Sequence, residues 1–195
     1  PTMTSPMSKP AMLGCLLVLI ALAVIPLLGD KHAMDVTVEI MILALFALSL
    51  NVLIGYSGNV SFGHAAYFAI GGYTNAILLT SYDLPILVSM PVSVLFAMVA
   101  AMFVAWFCTR LTDIYFAMLT LAFAMLVWAV LFKWRGMTNG DDGFVGITIP
   151  AFLDGRIPLY YFTLIVVAAS IALLWLICHS AFGKVLVAVR ENRTR

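Results

Sequence analysis

Charge is what this 195-residue chain lacks most. Only 10% of its residues are Asp, Glu, Lys or Arg, against 64% that are hydrophobic, whereas globular chains carry about 25% charged residues. With a mean hydropathy of +1.11, the apolar surface exceeds what a soluble core can absorb, which excludes a water-soluble globular fold. A net charge of +1 gives no electrostatic footprint for nucleic acid. Cysteine is sparse as well. Cys15, Cys108 and Cys178 lie in apolar runs without paired spacing, so they read as small buried hydrophobes rather than disulfide or redox partners. His32, His64 and His179 are far apart, with no His-Glu-x-x-His helix to hold zinc and no Ser/His/Asp set in one segment. An intramembrane enzyme is therefore unsupported. The chain contains neither Gly-x-x-x-x-Gly-Lys-Ser/Thr nor Gly-x-Gly-x-x-Gly, so it is expected to bind no nucleotide and to need no cofactor or metal of its own.

What is present is a set of long apolar runs. A bilayer core about 30 Å thick takes roughly 20 apolar residues per helix. The charge-free runs fall at residues 11–29, 36–54 (with Glu39 near its outer end), 62–81, 84–109, 114–132 and 157–178. The expectation is an all-α polytopic transmembrane bundle of about six spans, occupying residues 11–179. Residues 1–10 read as a disordered polar leader, and residues 180–195 as a cytoplasmic segment. The first run is uncharged for longer than a signal-peptide core of about 7–15 residues, so a retained helix is expected there. Pro26 should bend or end it, whereas Pro85 and Pro91 sit in early turns of the fourth run, where proline is tolerated. Trp106, Tyr115, Trp134, Tyr160 and Tyr161 lie near run ends, as interfacial aromatics do. Six spans put both ends on one side of a bacterial-type plasma membrane. Lys9, Arg110, Lys184, Arg190, Arg193 and Arg195 mark that side as cytoplasmic; Lys31, Lys133, Arg135 and Arg156 fall outside.

The stretch from Ile40 to Tyr82 contains no Asp, Glu, Lys or Arg, yet its middle is polar and glycine-rich. Gly55, Gly58 and Gly63 permit bends and close backbone approach. Asn51, Ser57, Asn59, Ser61 and His64 bring donors and acceptors into or beside the hydrocarbon. Unwound backbone at that depth is tolerated only against protein or a water-filled cavity. These eight residues form a broken-helix element and are the candidates for a transport pathway or its gate. Ordinary hydrogen bonding to neighbouring helices is the alternative for each one. Downstream, Ala65, Ala69, Gly72 and Ala76 form a small-residue stripe at helical spacing, suited to helix packing. The 133–156 connection is rich in turn residues, including Asn139-Gly140 and Asp141-Asp142-Gly143. It lacks the ligand spacing of a calcium loop and reads as a structured surface turn on the outside, whose function, if it has one, is contact with a partner protein. In the tail, Phe182, Val185, Leu186 and Val189 follow i, i+3, i+4, i+7. The tail is therefore a short amphipathic helix, which lies on lipid or docks in the groove of a cytoplasmic partner.

At four places, in order, the residues resemble one family. Residues 47–74 (Ala-Leu-Ser-Leu-Asn-Val-Leu-Ile-Gly-Tyr-Ser-Gly-Asn-Val-Ser-Phe-Gly-His and onward) are similar to the signature of LivM-type permeases, the membrane subunits of branched-chain amino acid ABC importers. Asp113-Ile114-Tyr115-Phe116-Ala117-Met118-Leu119-Thr120-Leu121-Ala122-Phe123 resembles a second family helix, although Asp113 stands where glycine is usual. The Thr138–Gly143 run with Gly146-Ile147 resembles a family loop. Residues 180–192 resemble the family's cytoplasmic coupling segment, with Ala181 for proline and Lys184 for arginine. The resemblance implies a pathway-forming subunit paired with a second homologous permease, two cytoplasmic ATPase subunits that bind the ATP, and an extracytoplasmic solute-binding protein. It assigns Phe182, Gly183, Lys184, Leu186, Arg190 and Glu191 to ATPase coupling. It also implies further helices beyond residue 195. Related permeases carry urea, other amides or aromatic acids, and a stand-alone channel or secondary carrier is the reading from outside the family.

Overall fold

The computed structural model of the chain describes residues 9–28, 31–108, 110–111, 113–144, 147, 150 and 153–191, and the regular structure among them is entirely helical. The expected disordered leader lies almost wholly outside the described residues, as do Gly146 and the last four residues of the tail. In chain order the elements are α1 (Lys9–Val24), a 3-10 turn (Ile25–Leu28), α2 (Lys31–Val52), a π-helical turn (Leu53–Ser57), α3 (His64–Thr80) and α4 (Ile86–Cys108). They continue with α5 (Asp113–Lys133), the single turn α6 (Arg135–Thr138), a 3-10 turn (Gly140–Asp142), α7 (Arg156–His179) and α8 (Ala181–Glu191).

Four of these segments are long and apolar enough to cross a membrane: Lys31–Ser57, Ile86–Cys108, Ile114–Lys133 and Arg156–His179. The other two expected spans are shorter than their apolar runs. α1 has 16 residues and gives way to a tighter turn that contains Pro26. α3 has 17 residues because the glycine-rich break delays its start to His64. Pro91 lies inside α4, where Ser93 Oγ donates to Met90 O at 2.8 Å within the same turns.

The chain forms two compact units, Pro1–Ser57 with Ala151–Arg195, and Gly58–Pro150. In the first, α2 packs along α7. Arg156 meets Asp35 at 3.1 Å at one end, Met34, Met41, Tyr160 and Val167 form the middle, and the Tyr56 and Cys178 side chains pair at the other end. Residue numbers rise together on both helices, so α2 and α7 are parallel. The tyrosines correct a sequence expectation. Tyr160 is only 1% exposed and donates to Leu22 O at 2.7 Å, while Tyr161 donates to Ala23 O at 3.2 Å. Proline has no N–H, so Pro26 leaves the carbonyl four residues before it, Leu22 O, without its helical donor. Tyr160 supplies that donor instead of sitting at a lipid interface.

In the second unit, α3 and α4 form a hairpin through a turn in which Asp83 adopts φ 49. α3 also packs on α5 and α6. The small-residue stripe is packed only in part: Ala76 is buried and Ala69 half-buried, whereas Ala65 and Gly72 are exposed, and off the stripe Ala66 and Leu79 are buried and Gly71 approaches Ala97. Small residues occur on two sides of this helix, so their spacing alone could not select one.

Candidate functional site

The glycine-rich segment is divided between the two units. Asn51 through Ser57 belong to the first and Gly58 through His64 to the second. In the first, the α-helix widens into the π turn, and Ser57 Oγ donates back to Leu53 O at 2.7 Å. Such back-bonding bends helices, and π turns concentrate at functional positions. Asn51 is exposed on the turn before it, and Gly55 and Ser57 are half-buried. Gly58 follows with φ 72, a left-handed conformation that glycine adopts without penalty.

In the second unit the segment is fastened to α5. Thr120, 2% exposed, accepts from the Phe62 backbone N–H through Oγ1 at 3.2 Å and donates to Ala117 O at 2.9 Å. Ser61 is buried and its Oγ accepts from the Gly63 N–H at 3.2 Å. A Cβ on Gly63 would stand 3.0 Å from Thr120 O. Asn59 and His64 are half-buried and make contacts of their own. The structure thus gathers Asn51, Gly55 and Ser57 around the end of α2, and Ser61 and Gly63 around Thr120. Thr120 was not among the sequence candidates, because a lone threonine in an apolar helix gives no signal without its long-range partner. Asn75 was also missed. Its side-chain oxygen on α3 is enclosed without a hydrogen-bond partner among the described residues, which is a costly state for a buried polar group.

The C-terminal helix α8 packs against both α7 and the π turn. Gly183 is buried, and a Cβ there would run into the Cys178 carbonyl, so glycine sets the tight approach of α8 to the end of α7. Arg190 donates through Nη1 to Gly55 O. These two residues are occupied within the chain. Phe182, Val185 and Val189 are exposed by 61%, 58% and 59%, Lys184 is also exposed, and Leu186 is half-buried. Glu191 closes the helix. Among the described residues no cluster of His, Cys, Asp or Glu could hold a metal ion.

A family model described as a branched-chain amino acid transport system / permease component matches residues 33–195. The chain belongs to this permease family. Among curated proteins it is similar to the high-affinity branched-chain amino acid transport system permease protein LivM of Escherichia coli (strain K12), with 32% identity over 136 residues, 69% of this chain. It is also similar to the protein of the same name from Salmonella typhimurium (strain LT2), with 31% identity over the same length. In both cases the match spans 32% of the relative, about a third of its length. No solved structure matches. Membership of this permease family accounts for the four long apolar helices of a multi-pass membrane protein.

Proposed function

We propose that the chain forms part of the translocation pathway of an ATP-driven importer for branched-chain or other small hydrophobic amino acids. A second homologous permease would complete the pathway, two separate cytoplasmic ATPase subunits would drive it, and an extracytoplasmic protein would deliver the solute. The observation that carries this reading is the placement of α8: an amphipathic helix with an uncovered Phe182, Val185 and Val189 face, packed against the broken end of α2. A partner that holds this face lies one contact away from the π turn with Gly55 and Ser57, the first-unit part of the pathway candidates; Asn51 precedes that turn, and Gly58, Asn59, Ser61, Gly63 and His64 follow it in sequence. The family membership supports an ATPase as that partner, and the absence of a nucleotide motif in the chain fits ATP binding elsewhere.

Six crossings of an inner membrane, with α8 in the cytoplasm, complete the proposal. Parallel α2 and α7 need an odd number of crossings between them. α4 and α5 give two, so α3 makes the third, its 17 residues spanning about 25 Å at 1.5 Å each. α1 has its last turn at the first turns of α7 through the Tyr160 contact, so it crosses in the opposite sense.

Purification of the full-length gene product from native membranes tests the partner assignment. With wild type an ATPase subunit is expected to accompany the permease, and with Phe182→Glu or Val185→Glu it should be lost while membrane insertion persists. Absence of any ATPase from wild type, or its retention by both variants, sinks the assignment. Uptake assays with leucine, urea and an aromatic acid then separate the solute classes.

A further inference from the structure

α2 ends at the glycine-rich break, so the carbonyls of its final turns have no following helical N–H to accept from. Gly55 O is one of these, and the donor it receives comes from Arg190 in the last turn of α8. A guanidinium at a helix C-terminus also meets the negative end of the helix dipole. The neighbouring contacts show how closely α8 is held. Ser57 Oγ takes up Leu53 O in the same π turn, Tyr56 pairs with Cys178, and Gly183 seats the first turn of α8 on the Cys178 carbonyl. α8 is therefore fixed to α7 at its start and to the π turn near its end. Any movement of α8 either carries the π turn with it or breaks the Arg190–Gly55 contact.

We propose that Arg190 is a positioning residue that transmits movement of α8 to the broken end of α2, by capping Gly55 O rather than by binding the ATPase. The proposal rests on the reading of α8 as the ATPase-facing helix. It changes the role that sequence resemblance gives to Arg190, because the side chain is turned toward its own chain. The π turn then has two arrangements, one with Gly55 O held by Arg190 and one with it released, and the position of α8 selects between them.

The test uses the whole transporter in proteoliposomes, with Arg190→Ala, Arg190→Lys and, for comparison, Phe182→Glu. Arg190→Ala is expected to keep its ATPase subunits and continue hydrolysing ATP, while solute taken up per ATP falls about tenfold, the scale of one charge-assisted hydrogen bond. Arg190→Lys, which retains a cationic donor, should recover most of that loss. Backbone hydrogen exchange over residues 55–60 should quicken in Arg190→Ala and not in Phe182→Glu. Unchanged uptake per ATP in Arg190→Ala overturns the proposal. So does loss of the ATPase from Arg190→Ala with retention by Phe182→Glu, which would place Arg190 at the partner. Should wild type itself carry no ATPase, the partner reading fails separately. Exchange at residues 55–60 in the permease alone then decides the contact: faster exchange in Arg190→Ala upholds the cap, and equal exchange removes it.

Discussion

At the scale of single residues, the sequence marked which glycines stand in the break, but not what each one is for. Gly63 and Gly72 both belong to small-residue patterns, yet a Cβ at Gly63 would press on the Thr120 backbone at 3.0 Å while one at Gly72 meets nothing within 4 Å. Gly63→Ala is expected to lower the thermal unfolding midpoint of the purified protein, with an overpacking cost of about 1–3 kcal/mol. Gly72→Ala should leave that midpoint unchanged or raise it slightly, since alanine is the better helix former by about 1 kcal/mol. Equal behaviour of the two variants would remove the special role of the Gly63–Thr120 approach. The difference was invisible in the sequence because Thr120 lies in another helix, 58 residues beyond the Phe62 N–H that it receives. Arg190 is a second case. Its charge and its place in an amphipathic helix were legible, and its carbonyl partner was not.

At the scale of elements, helix existence followed from charge-free runs, because every backbone polar group in hydrocarbon must be satisfied within its own segment. Helix ends did not follow as well, since they depend on donors brought from elsewhere. α1 shows why. Pro26 predicted an ending, but only the fold reveals that Tyr160 takes up the Leu22 carbonyl that the proline leaves open. The end of α1 and the start of α7 thus form one polar unit whose two halves can be tested against each other. Tyr160→Phe should destabilise the protein by about 1 kcal/mol, the net worth of a hydrogen bond. Pro26→Ala restores an N–H beside the same carbonyl, so Tyr160→Phe should cost less in that background. A double-mutant cycle on denaturant unfolding reads the difference directly. Strict additivity would mean that the tyrosine does not compensate for the proline. The amphipathic pattern of α8 was legible in full, because exposed and covered faces differ in composition, whereas its seat on the π turn was not.

At the scale of the whole molecule, the decisive quantity is the parity of crossings. Length and apolarity alone select four segments, and α4 with α5 between α2 and α7 would make an even count. The parallel run of α2 and α7 demands an odd one, fixed by contacts at both ends and the middle of that pair. On the proposed six-crossing arrangement α3 would cross despite its short length, and the tight turn at Asp83 would lie on the opposite side of the membrane from the Gly58–Gly63 break. This yields a direct measurement with single cysteines placed at Asp83, Asp142, Arg110 and Lys184, all exposed, in a background with the native cysteines replaced by alanine. A membrane-impermeant thiol reagent added to intact spheroplasts should label the cysteines at 83 and 142 and spare those at 110 and 184 until the membrane is opened. Labelling at 142 without labelling at 83 would make α3 a helix that does not cross. Sequence charge bias supplies the sign of this pattern, through the basic residues on the α8 side. The packing of α2 on α7 supplies its parity, and only the two together give the proposed orientation, in which a cytoplasmic ATPase would reach the helix that holds the broken end of α2.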